Sequence, residues 1–251
     1  VKFNRYPAGI HCYSGQVTAL KKNSILPEKT VTKIESGSVL TINSTVFLNG
    51  KIEVDGGTLV VQEGATLMTY SRNKAYEGSG SIEVKNGGSI VVMNKGRVAL
   101  GRLDSSSAEC SQIGQIKLTS GGKLYNFGTT MVNRLIMNDS AEIENRAGSV
   151  LYAGYQFTDV GAARFYYNTD WQAVGMRMTN SGSGGTLISA AENGVQSMEG
   201  QNLRIVNKGT IYLSSVYDSR SGFEKLIEGN AAKKTTKYKL TLADTPYETG
   251  F

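Results

Sequence analysis

The sequence is poor in the residues on which much enzyme chemistry depends. Of 251 residues one is His, two are Cys, one is Trp and three are Pro, and charged residues make up 19%. A nucleophilic triad or a His-based acid–base pair would have to use His11, which stands next to Cys12 in a segment with no other catalytic signature. No His or Cys cluster has zinc spacing, and no glycine-rich phosphate loop stands between a strand and a helix. The Gly-Gly-x-Gly-x-Asp signature of calcium-binding β-rolls is missing too, so neither a metal nor a cofactor is expected. No apolar run approaches the ~20 residues of a membrane-spanning helix. The formal charge of +6 is carried by a dilute set of charges, a field suited to anionic polysaccharide or a bacterial surface rather than to nucleic acid. The chain opens at Val1 with no basic-then-apolar leader, which leads to the expectation of a mature secreted or cell-surface chain after signal removal.

Glycine is plentiful, at 30 residues, and its scarcity of proline partners points to many tight turns between strands that keep their backbone donors. The glycines mark a repeat. Five segments share one frame: Glu35–Ile42, Val54–Val61, Lys85–Val92, Thr119–Asn126 and, with one extra residue, Met137–Asn145. A short alternating strand precedes four of them, at Ile52–Val54, Ile82–Val84, Ile116–Leu118 and Leu135–Met137. A third piece, polar-x-Gly-x-apolar, follows, beginning at Gln62, Asn94, Asn126 and Asn145. The apolar anchors Leu40, Leu59, Ile90, Leu124 and Ile143 recur at 19, 31, 34 and 19 residues (59 − 40, 90 − 59, 124 − 90, 143 − 124). The long intervals hold inserted loops, 70–80 and 101–114, and a distant copy at Leu203–Leu213 aligns with Ile90–Leu100.

Identical elements recurring in one order cannot form a hairpin meander, so the strands must stack in parallel. The predicted fold is all-β: a single-stranded parallel β-helix, or β-solenoid, with three short strands per coil of about 20 residues and capping segments at its ends. Its inward residues would include Leu40, Ile42, Ile52, Val54, Leu59, Val61, Ile82, Val84, Ile90, Val92, Ile116 and Leu118. Asn94, Asn126, Asn145 and Asn207 are expected to form an asparagine ladder. Residues 1–251 are read as one domain: an N-terminal cap at 1–30, regular coils over 31–151, an aromatic-rich irregular section at 152–200, a further coil at 201–213, and a C-terminal cap or assembly strand at 214–251. A short helix is expected over Gly222–Glu228. The repeated Gly-Gly-x-Leu-x-Val grammar resembles the right-handed parallel β-helices of autotransporter passenger domains and filamentous-haemagglutinin-type adhesins. That resemblance implies an architecture rather than a particular activity.

The candidate sites follow from this frame. Glu53 and Glu83 fall on the outward middle position of equivalent strands, with Lys117 next in line, so they form either a carboxylate pair or a solvated charge ladder. Tyr155, Tyr166, Tyr167 and Trp171 could stack on sugar rings or cover a widened core. Lys237, Tyr238, Lys239, Leu240 and Leu242 form an alternating strand that could add to a neighbouring subunit. Cys12 and Cys110 could form a disulfide. The leading expectation is a non-enzymatic extracellular adhesin or fibre subunit that self-associates or meets a cell-surface glycan or protein. A glycan-binding or phage-type receptor-binding spike and a polysaccharide lyase or hydrolase are the alternatives.

Overall fold

The computed structural model describes residues 2–69, 80–100, 114–132, 134–137, 141–146 and 148–153, and the strands 177–180, 186–189, 204–207, 210–214, 227–229 and 233–235. Among the described residues there is no helix; the chain runs as short strands joined by turns. The first rung is β1 (Asn4–Arg5), β2 (His11–Cys12) and β3 (Val17–Leu20), and the second β4 (Ser24–Leu26), β5 (Val31–Ile34) and β6 (Val39–Ile42). The third is β7 (Thr45–Leu48), β8 (Lys51–Asp55) and β9 (Thr58–Val61), and the fourth β10 (Thr66–Met68), β11 (Ser81–Lys85) and β12 (Ser89–Val92). The fifth is β13 (Arg97–Leu100), β14 (Gln115–Leu118) and β15 (Lys123–Asn126), and the sixth β16 (Thr129–Val132), β17 (Arg134–Met137) and β18 (Glu142–Asn145). Beyond these come β19 (Val150–Ala153), β20 (Arg177–Asn180), β21 (Thr186–Ser189), β22 (Arg204–Asn207), β23 (Thr210–Ser214), β24 (Ile227–Gly229) and β25 (Lys233–Thr235).

The chain visits three sheets in rotation. Sheet A takes β1, β4, β7, β10, β13, β16, β19, β21, β23 and β25; sheet B takes β2, β5, β8, β11, β14 and β17; sheet C takes β3, β6, β9, β12, β15, β18, β20, β22 and β24. Every pairing is parallel, and each strand lies beside its equivalent one rung on, which is a solenoid-like arrangement. Adjacent rungs are about 4.8 Å apart. Strand alternation then sorts side chains inward and outward, and all twelve residues expected inside are fully buried.

Sheet A departs from this alternation, because β7, β13 and β16 bury the outward middle residue as well. Phe47, Met68, Ala99 and Met131 form that column. Phe3 lies against Phe47 with ring centroids 5.1 Å apart, so the N-terminal segment covers part of the sheet. A sheet covered on both faces reads as a continuous apolar run, as Val46-Phe47-Leu48 of β7 does.

The Gly-Gly signature has a steric cause at the corner from sheet B to sheet C. Its first glycine takes a left-handed conformation, with φ of 74° at Gly87 and 73° at Gly121. Its second presses on the preceding rung: a β-carbon at Gly122 would stand 2.5 Å from the Val84 carbonyl oxygen. At the second rung Ser38 occupies that place, and its buried hydroxyl donates to the carbonyls of Glu35, at 2.6 Å, and Cys12, at 3.1 Å.

The asparagine ladder exists, with different members. Leu20, Ile42, Val61, Val92, Asn126, Asn145, Asn180 and Asn207 share one register column in sheet C. Asn126 and Asn145 are wholly buried, and Asn126 Nδ2 donates to Asn145 Oδ1 at 2.7 Å. Thr130 Oγ1 donates to Asn126 Oδ1 at 3.0 Å, and Ser149 Oγ donates to Asn145 Oδ1 at 2.7 Å. Asn94 is outside the ladder and exposed, because Val92 takes the column position. The distant copy is likewise displaced by two residues, with Ile205 rather than Leu203 in line with Ile90. A two-residue shift keeps every side chain on its own face, so the repeat pattern alone does not betray it.

Three segment assignments change. Residues 1–30, expected to lack the coil pattern, carry β1 to β4, which pair into all three sheets. Short two-residue strands and the absence of a Gly-Gly corner hide that rung. The section 152–200, expected to be irregular, contributes β20 and β21, which continue sheets C and A. The helix expected over Gly222–Glu228 is contradicted at its end, since Ile227–Gly229 is a strand paired with β22. Parallel pairing there outweighs a helical preference that so short a segment cannot sustain.

Candidate functional site

The outward face of sheet B collects the charged residues that the repeat frame singled out. Lys33, Glu53, Glu83 and Lys117 stand on successive strands in one register column. Lys51 reaches into that column from the position two residues before Glu53. Its Nζ lies 2.8 Å from Glu53 Oε1 and 2.6 Å from Glu83 Oε2, while Lys117 Nζ approaches Glu83 Oε1 at 3.3 Å. One row along, Lys85 faces Asp55 at 3.5 Å, and Asn86 Nδ2 donates to Asp55 Oδ1 at 2.6 Å. The carboxylates are therefore interleaved with ammonium groups.

This arrangement determines what the pair can do. The hydrogen bond from Lys51 holds the Glu83 carboxyl below its ordinary value, against the opposing effect of burial, and Lys117 adds to the lowering. Burial works against the charged form of Lys51, but the hydrogen bonds to Glu53 and Glu83 outweigh it and raise the ammonium above its ordinary value. A glycosidase-type general acid needs a carboxyl shifted upward so that it keeps its proton. Glu83 is shifted the other way. Sequence reasoning found Glu53, Glu83 and Lys117 from their equivalent positions but missed Lys51, although the alternation of β8 places it on the same outward face.

A second polar group lies at the N-terminal end. His11 Nε2 is 2.7 Å from Glu35 Oε1, the Ser14 amide donates to Glu35 Oε2 at 3.2 Å, and the His11 and Tyr13 rings stack at 3.9 Å. The hydrogen bond from His11, then that from Ser14, hold the Glu35 carboxyl below its ordinary value. Glu35 thus ties the β2–β3 corner to the corner one rung on.

Among the described residues the neighbouring Cys12 is a free thiol. Strand alternation turns Cys12 inward, in register with Ile34 and fully buried, and that burial raises the thiol above its ordinary value. Cys110 itself lies outside the described residues. Tyr155, Tyr166, Tyr167, Trp171, Lys237, Tyr238, Lys239, Leu240 and Leu242 do so as well.

Among the described residues no three His, Cys, Asp or Glu side chains converge to hold a metal ion, and no helix is long and apolar enough to cross a membrane. No family model, curated protein or solved structure matches the chain.

Proposed function

We infer that the chain is a single parallel β-helix, adhesin-like in kind, that serves as a non-enzymatic extracellular or cell-surface protein and displays its outward faces and loops to a partner. The observation that carries this reading is the state of the Glu53–Glu83 column. Its carboxylates are bound by Lys51 and Lys117 into a charge ladder along the outside of a repetitive stack. Such a ladder supports a rigid display surface, because each added rung repeats the same backbone pairing and extends the same stacked core. Glu83, held as a carboxylate by Lys51, is poorly suited to donate a proton in glycosidic cleavage.

The test pairs retention with turnover. The purified chain, offered immobilised glycans, cell surfaces and soluble polysaccharides, is expected to be retained on one of the surfaces and to release no new reducing ends or unsaturated products. Product release that disappears in Glu83→Gln would overturn this reading in favour of a polysaccharide-degrading enzyme.

A further inference from the structure

The positive charge of the chain is concentrated at one end of the stack. Residues 1–33 hold six basic residues, Lys2, Arg5, Lys21, Lys22, Lys29 and Lys33, against one acid, Glu28. That is +5 (6 − 1) of the formal +6, leaving +1 (6 − 5) for all that follows. All six side chains are exposed. Among the described residues none of them stands within 4.0 Å of a carboxylate, whereas Lys51, Lys85, Lys95, Lys117 and Arg146 each meet one.

Four of the six gather at one corner. Asn4 pairs with Ser24, and its amide donates to the Asn23 carbonyl at 2.9 Å, so Lys2 runs beside Lys22 on the approach to sheet A. Lys21 directly follows β3, and Arg5 pairs with Ile25 in the same sheet. A rung spacing of about 4.8 Å sets Lys2 and Lys22 closer than the screening length of about 8 Å at physiological salt, with Lys21 next in sequence and Arg5 three residues further along, in β1.

We propose that this corner of the first two rungs, where sheet C passes into sheet A, binds a linear acidic polysaccharide through its repeated carboxylate or sulfate groups. A second copy stacked end to end fits less well. The far end of sheet A is β25, which contains Lys233 and Lys234, and stacking would set it against β1 and Arg5. Nucleic acid also fits less well, since five of the six cations are Lys, compact point charges without the planar fork that reads phosphates and bases bidentately. The proposal rests on the surface-display reading only for the class of partner.

The test measures binding of the full chain to immobilised polygalacturonate over a range of salt. The variants are the corner set Lys2→Gln, Arg5→Gln, Lys21→Gln and Lys22→Gln, and a control set Lys85→Gln and Lys95→Gln. The corner set is expected to weaken binding by about tenfold or more and to flatten its salt dependence, with the control set within about twofold of the parent. An unchanged thermal midpoint would show that both sets remain folded. Equal effects in the two sets, no effect in either, or a parent chain that prefers duplex DNA or anionic vesicles at the same ionic strength would overturn the proposal. Retention on cells or neutral glycans with no binding to polygalacturonate would sink it while leaving the display reading standing. Binding at this corner with Glu83-dependent turnover would do the reverse.

Discussion

Within sheet C one inward column changes character part-way along the stack. From Leu20 through Ile42 and Val61 to Val92 it is aliphatic, and from Asn126 through Asn145 it is amide, with Asn180 and Asn207 continuing the register. Backbone pairing is the same in both halves, so the rung does not choose the side chain. What changes is the set of neighbours. Thr130, buried in sheet A, and Ser149, buried just before β19, supply hydroxyls to Asn126 and Asn145, while the rungs before Thr130 place the apolar Val98, Leu67 and Val46 at its position. A buried amide is tolerated only with such partners.

The most disruptive way to break this contrast is to put an amide into the wrong half. Val61→Asn sets a carboxamide between Ile42 and Val92, and the lost apolar burial together with an unsatisfied polar group should cost about 3–4 kcal/mol in denaturant unfolding. Val92→Asn sharpens the comparison, because Asn126 stands directly across from it as a hydrogen-bond partner. It should cost about 1 kcal/mol less than Val61→Asn in the same assay, and equal costs would show that the ladder does not extend. In the amide half, Asn145→Val removes the acceptor of both Asn126 and Ser149, and a loss of about 1–3 kcal/mol is expected.

Outside the core the contrast is between sheets. Sheet B carries the interleaved charges of Lys33, Glu53, Glu83 and Lys117, whereas the equivalent outward positions of sheet C in the first four rungs, among them Thr41, Val60 and Val91, bear none. Stability should therefore respond to pH through sheet B. The lowered Glu83 carboxyl stabilises the fold above its ordinary value of 4.5, and that contribution is lost as pH falls through the lower folded value. The raised Lys51 ammonium contributes fully below its ordinary value of 10.5, and its share is lost as pH rises through the higher folded value. The buried Cys12 thiol, raised from its ordinary value of 9.0, likewise loses its share above that value, so thermal midpoints should be level between about pH 4.5 and 9.0 and fall at both ends. The smallest effect belongs to Glu83→Gln at neutral pH, about 0.2–1 kcal/mol for a partly exposed pair. The same substitution should also reduce the acid-side slope, and an unaltered slope would assign it to other carboxylates such as Glu35.

How much could be read in advance depended on how each feature announces itself. Ile52, Leu59, Ile82 and Ile90 alternate around glycine corners, and that pattern located their strands and faces without ambiguity. Glu53 and Glu83 were found through equivalence between repeats. Lys51 was not, because its role depends on the reach of a long side chain across a rung. The first rung escaped notice since β1 and β2 are two residues each, too short for alternation to register. Asn94 resembles a ladder member in the sequence because the corner after Val92 takes four residues before Arg97, whereas that after Asn126 takes two before Thr129.

The sequence by itself determined that this chain builds parallel strands in repeated order, which residues face inward, and where glycine must stand. Those properties are local: they follow from a period of two along a strand and from turns that exclude a β-carbon. Only the tertiary structure decided which residues share a column, that Lys51 lies between Glu53 and Glu83, that Cys12 is buried as a thiol, and that Asn126 and Asn145 are partners. Each of these depends on register between rungs, and register is set by the lengths of corners and inserted loops, where the chain has no periodic signal to read.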